Sequence, residues 1–333
     1  GRNPLQGMGD RDLIDIKMQR GSFGALVANQ RMTPTFIELL RGLLADDASQ
    51  RWTSADLDQW LSGRRMTPKN SDAGRRATRH FPFLGKEYWQ VSTLAEALAD
   101  NPAEATKVIE NESLNKWLRR AMNDVERAKD IDAVIEDLKQ SGKTAHYEDQ
   151  LVARVCIALD HAAPIRYRGI SAMPAGIPSL LVDAVLSGSN VQALSEMISE
   201  QLVSLWIQMQ GDSKADFVTM GQLFDRIKGV IEKTTYGNGV ERAIYESNPG
   251  LPCLSPMLRS QYVTSPKLLL PALERIAATA NKPSDPMDRH IAAFLIVRDR
   301  RGEKIFLQMG APEKSIQRGL ALLSLYAELQ YKF

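Results

Sequence analysis

The stretch Phe36–Arg65, FIELLRGLLADDASQRWTSADLDQWLSGRR, reads as two helices joined by a short polar turn. Leu39, Leu40, Leu43 and Leu44 fall at i, i+1, i+4 and i+5, which is one apolar stripe of a helix that must bury that face. Asp46 and Asp47 end this helix. Thr53 with Asp56 three residues on makes a shortened capping box, and Leu57, Trp60 and Leu61 supply the next helix with its apolar face. Gly63 closes it. Arg51 sits in the turn, and a guanidinium held there away from water needs an acidic partner.

Two helices around such a turn resemble the end of the C-terminal lobe of bacterial serine/threonine protein kinases, where an Asp-Pro-x-x-Arg turn separates the last two helices. Asp47 and Arg51 occupy that turn with Ala48 in the proline position, and Trp52, Thr53 and Trp60 follow as the pattern requires. The preceding Gly1–Phe23 is similar to the loop and helix before that turn, with Gly21 and Phe23 ending the helix. The resemblance implies that Asp47, Arg51, Trp52 and Trp60 have structural roles. It also implies a parent enzyme that uses ATP and magnesium to phosphorylate protein hydroxyls. This chain itself shows no catalytic His-Arg-Asp loop, no Asp-Phe-Gly metal site and no Ala-Pro-Glu motif, so no catalytic, cofactor-binding or metal residue is assigned to it. Arg51 and the leucine stripe are expected to lack their kinase partners here, leaving the stripe exposed.

Composition is that of an ordinary globular chain. The 333 residues are 44% hydrophobic and 25% charged, with a formal net charge of +2, so no global field points to nucleic acid or membrane. No apolar run reaches the roughly twenty residues of a membrane span. Cys156 and Cys253 are far apart and read as two buried thiols in a reducing cytoplasm. Both ends of the chain read as cut.

Residues 1–64 are therefore expected as a remnant of a kinase-like lobe, and 65–80 as a basic linker. In the linker and at its edge, Arg64, Arg65, Arg75, Arg76 and Arg79 are candidates for binding an acidic partner. No aromatic residue interleaves these charges in sequence, and Thr67, Ser71 and Thr78 are possible phosphate acceptors. Residues 81–125 form a small helical module opening on Phe83, Gly85 and Tyr88, with Asn101 capping a helix begun by Pro102. Its Leu114, Trp117 and Leu118 echo Leu57, Trp60 and Leu61, as an internal repeat would.

Residues 126–333 read as helices throughout, in a bundle or solenoid-like stack. Val155, Cys156 and Leu159 lie on one apolar face; Leu194, Met197, Leu202 and Trp206 form another; Phe217, Phe224, Ile227 and Ile231 form a third. Asp285 is expected to cap a helix that Pro286 opens, and the clearest strand candidate is Lys304–Gln308. The fold class is all-α.

Three features imitate chemistry. Gly21–Gly24 resembles a phosphate-covering loop, but no lysine follows on a strand, so Gly21 reads as a helix end. His80, His146, His161 and His290 are scattered without metal spacing. The run Asn248–Met257, NPGLPCLSPM, is a stiff loop in which Cys253 is either a reactive thiol or a packed one, and the packed reading fits a site with no basic neighbour in sequence. The expected function is a non-catalytic, protein-binding regulatory or scaffold region of such a kinase, possible partners including the missing kinase lobe in cis, with no metal. The alternatives are a helical-repeat interaction scaffold unrelated to kinases, and a helical enzyme using Cys253.

Overall fold

The computed structural model describes residues 4–27, 32–46, 48, 50–64, 66, 76–142, 145–211, 215–279, 282–299, 306 and 315–332. Helix dominates, as the sequence periodicities require, and the described strands form two short antiparallel hairpins. The chain divides into two compact units, Gly1–Ala163 and Pro164–Phe333. The boundary therefore falls after the segment 81–125, not at its end.

The first unit opens with α1 (Asp10–Val27), α2 (Pro34–Leu43) and α3 (Ser54–Leu61). α1 is kinked at Gly21, whose φ of 68° ends one helical segment. The chain resumes as helix at once, and the Asp46 carboxylate accepts the Ser22 N–H at 3.0 Å, a fitting anion for a new helix start. α3 has the full capping box read from Thr53 and Asp56. A Cβ at Gly42 would overlap the Trp52 ring, and Trp52 N–H donates to the Gly42 carbonyl at 2.9 Å, so α2 and the turn close tightly on each other.

Next come β1 (Phe81–Phe83), β2 (Lys86–Tyr88), α4 (Val91–Asp100), α5 (Pro102–Glu110) and α6 (Ser113–Trp117). α6 runs into one turn of π-helix at Leu118–Met122. α7 (Val125–Ser141) and α8 (Tyr147–Leu159) finish the unit. α8 lies at the centre, buried along Gln150–Leu159 apart from half-buried Arg154, and it packs on α4, α5 and α7. Residues 81–125 thus need α7 and α8 to cover their core.

The second unit repeats this order. β3 (Ile165–Tyr167) and β4 (Ile170–Ala172) are followed by a 3-10 turn and by α9 (Ile177–Ser187), α10 (Val191–Ser199), α11 (Leu202–Gln208), α12 (Ala215–Ile231) and α13 (Val240–Ser247). The likeness is local as well as general. Each hairpin turns through two left-handed residues, Leu84 (φ 50°) with Gly85 (φ 74°) and Arg168 (φ 47°) with Gly169 (φ 78°), the backbone of a type I′ turn. Glu112 (φ 61°) and Gln201 (φ 58°) are left-handed just before α6 and α11, and each lies at the same distance before a buried tryptophan, Trp117 or Trp206. α7 and α12 are both 17 residues long. α8 ends at Asp160 (φ −137°, ψ 87°) and α13 at Asn248 (φ −128°, ψ 84°). The repeat is thus Trp117 with Trp206, not Trp60 with Trp117 as the sequence echo suggests.

After α13 the pattern starts again in part. Cys253 N–H pairs with the Val263 carbonyl at 2.8 Å, and a 3-10 turn at Pro266–Leu268 leads into α14 (Leu269–Ala277), as Pro174–Gly176 leads into α9. α15 (Arg289–Arg298) and α16 (Ser315–Lys332) complete the described chain. The expected strand Lys304–Gln308 lies outside the described residues except for buried Phe306. Asp288, not Asp285, caps α15, accepting the Ile291 N–H at 2.8 Å. Among the described residues no helix is long and apolar enough to cross a membrane.

Candidate functional site

The basic segment expected as a linker is, over Arg76–His80, a strap bound to the first hairpin and to the π-helix. Ala77 N–H donates to the Trp89 carbonyl at 2.8 Å. Thr78 donates twice to the Ala121 carbonyl, through its N–H at 2.8 Å and its hydroxyl at 3.1 Å. The Trp117 indole N–H donates to the Arg79 carbonyl at 2.7 Å. A π turn shifts the helical hydrogen-bond ladder by one residue, and the carbonyl at its end is here satisfied by the strap. The Arg76 guanidinium lies 4.6 Å from the Trp89 ring centroid, within cation–π range, and the His80 ring meets Trp89 edge-on at 5.4 Å. The aromatic partner absent from the basic run in sequence is thus supplied in space by Trp89, just after β2.

The other residues singled out in sequence do not gather. Arg51 is exposed, and its Nε donates to the Ala45 carbonyl at 3.0 Å, so the turn arginine has a local acceptor. Trp52 is buried and Trp60 half-buried. Leu39 is buried and Leu40, Leu43 and Leu44 are half-buried, which corrects the expectation of an exposed leucine stripe. Arg64 is exposed; Asp47, Arg65 and Arg75 lie outside the described residues, as do Thr67 and Ser71.

The loop Asn248–Met257 is held from several sides. Arg298 donates to the carbonyls of Asn248 at 3.4 Å and Leu251 at 3.2 Å. Buried Tyr245 accepts the Leu254 N–H at 2.8 Å and lies 3.2 Å from His290 Nδ1. The Ser255 hydroxyl donates to Asp288 at 2.5 Å, and Asp288 in turn caps α15. Burial pushes the Cys253 thiol up to about 12, with the Asp288 charge adding to the shift against a hydrogen bond from the Ser255 backbone. A thiol in that state is not ionised at neutral pH, and the loop has the chemistry of a packed connection. Burial also holds His290 below the ordinary imidazole range, against the pull of Asp288 and Glu241.

The remaining histidines stand apart, His80 beside Glu87 at 3.7 Å, His146 beside Asp149 at 3.9 Å and His161 near Asp130 at 4.0 Å. Among the described residues no three metal-binding side chains come together. Sequence reading missed the Tyr245–His290 contact, the Ser255–Asp288 bond and the strap because each joins residues distant in the chain; the one local signal was the indole pair Trp89 and Trp117 at the two ends of the α4–α6 segment. No protein-family model matches the sequence, no curated protein matches it, and no solved structure matches it.

Proposed function

We propose that this chain is a protein-binding scaffold built from tandem hairpin-and-helix modules, and that it carries no phosphoryl-transfer activity of its own. One observation carries the binding role. α16 buries Ala321, Leu325 and Leu329 on one side, while Ile316, Leu320 and Leu323 are 77%, 60% and 67% exposed on another. These three fall at i, i+4 and i+7, the spacing of a helix seam, and an apolar stripe of this kind left in water marks an interaction surface. The occupant that fits is an amphipathic helix of a partner protein, with leucines at the same spacing laid along α16.

The test uses a fluorescent amphipathic helical peptide with leucines at alternating spacings of three and four, beside a scrambled control. Leu320→Asp and Leu323→Asp are expected to weaken peptide binding at least tenfold while leaving the circular dichroism of the chain unchanged. Equal binding of the scrambled peptide would remove the reading. Self-association through the same stripe in sedimentation would replace the foreign helix by a second copy.

A second reading, that residues 1–64 end a serine/threonine kinase lobe, rests on the resemblance of the Asp47–Trp60 turn and helix together with the exposure of Arg51. In that reading Arg51 pairs with a carboxylate of an upstream catalytic region, with ATP and magnesium bound there. A charge-reversal pair tests it: Arg51→Glu should break the association and a matching Glu→Arg on the upstream region should restore it. Magnesium-dependent phosphate transfer by this chain alone would defeat both readings.

A further inference from the structure

Thr78 sits where the strap meets the π-helix, and its surroundings fit a switch. The residue is exposed, yet its hydroxyl and its N–H both end on the Ala121 carbonyl. Arg76 lies two residues before it and Arg79 one after, both exposed, so the hydroxyl is framed by cations that an acidic substrate cleft would recognise. We propose that Thr78 is a phosphorylation site for a separate, basic-directed serine/threonine kinase, and that phosphate at this position releases the Arg76–His80 strap. This inference is independent of the α16 stripe.

The chemistry balances with ATP as donor. Thr78 Oγ1 forms a bond to the γ-phosphorus, the bond from that phosphorus to the β-phosphate oxygen breaks, ADP leaves, and the hydroxyl proton passes to the base of the kinase. The product cannot keep the ground-state contact. A hydroxyl that donated to Ala121 becomes a phosphate ester bearing only acceptor oxygens and close to two negative charges. Ala121 lies in the last turn of the π-helix, where carbonyl oxygens already gather negative potential, so the dianion is repelled from the place the hydroxyl occupied. The strap then loses its central anchor, and the contacts that depend on its course go with it: Trp117 loses the Arg79 carbonyl and the Trp89 face loses Arg76. Release would uncover two indole rings on the first unit.

The experiment incubates the full chain with a purified basic-directed kinase and magnesium ATP, maps the phosphate by mass spectrometry, and follows hydrogen exchange. One phosphate at Thr78 is expected, lost in Thr78→Ala and kept in Thr78→Ser, which preserves both the hydroxyl and the fold. Amides of Ala77 and Thr78 should then exchange about tenfold faster, as for the loss of one anchoring hydrogen bond with added repulsion, while α8 keeps its protection. Absence of phosphate at Thr78 when a free peptide of the same sequence is modified would overturn the site. Phosphate at Thr78 with unchanged exchange would overturn the release.

Discussion

The hairpin Phe81–Tyr88 and the hairpin Ile165–Ala172 share a register and a turn, but they are tied to their helices by different chemistry. The first is held through the strap, by main-chain bonds from Ala77 to Trp89 and from Thr78 to Ala121. The second is held by one carboxylate. Glu196 of α10 accepts from the Tyr167 hydroxyl at 2.9 Å and from Arg168 at 2.7 Å. The two central helices differ in the same manner. From Leu151 to Leu159 α8 buries apolar residues apart from half-buried Arg154, whereas α13 buries Arg242 and Tyr245, and Arg242 donates to Asn238 at 3.0 Å. Order of elements and backbone conformation therefore persist while the polar contacts are replaced, which places the fold's determinants in the turns and in the apolar positions.

The largest effect should be common to both units. Trp117→Ala and Trp206→Ala each remove a buried indole from an equivalent place and should each cost about 3–5 kcal/mol in urea unfolding. A cost confined to one of them would break the equivalence of the two modules. Tyr245→Phe should cost about 1–3 kcal/mol, because it strands the Leu254 N–H in the second unit. Ile157 occupies the matching place in α8, counted from the Asp160 and Asn248 ends, and Ile157→Val should cost only about 0.5–1.5 kcal/mol.

Glu196→Gln tests the carboxylate clamp and should destabilise the chain by about 1–2 kcal/mol at neutral pH. Burial alone would raise the Glu196 carboxyl, but hydrogen bonds from Arg168, Tyr167 and Gln192 hold it below its ordinary value. Its contribution is then complete above the unfolded carboxyl value and fades as pH falls through the folded one. The Gln variant should lack that acid-side slope in a pH series of thermal midpoints. Smallest are the turns. Gly85→Ala and Gly169→Ala force a side chain to φ near +75° and should cost about 1 kcal/mol each, alike in both units.

Much of the local architecture was legible. The Thr53–Asp56 box, the apolar face of α12 and the start of α5 at Pro102 all depend on neighbours within one or two turns. Where two choices compete locally, sequence was less decisive. Asn101 gives its side chain to the Ala97 carbonyl of α4 and so closes that helix, leaving α5 without the expected side-chain cap. The face read through Leu194 to Trp206 is two helices, because Gln201 turns left-handed without a glycine to announce it. The second hairpin escaped notice for a similar reason: Arg168–Gly169 is a turn signal only if the three-residue runs beside it are strands, and so short a run has no periodicity to read. The strap was hidden entirely, since its acceptors at Trp89 and Ala121 are fixed by folding and not by spacing.

The matching ends of α8 and α13 have a consequence for how such a chain lengthens. Ala163 N–H bonds back to the Asp160 carbonyl at 3.2 Å, and Leu251 N–H to the Asn248 carbonyl at 3.0 Å. Each exit then delivers the chain to a residue whose backbone pairs with a later segment, Ile165 with Ala172 and Cys253 with Val263. A coding segment duplicated from one such exit to the next would leave every helix intact and meet a familiar joint on either side. Proteins of this construction can gain or lose a whole module in one genetic step, and their exposed side chains are free to diverge afterwards.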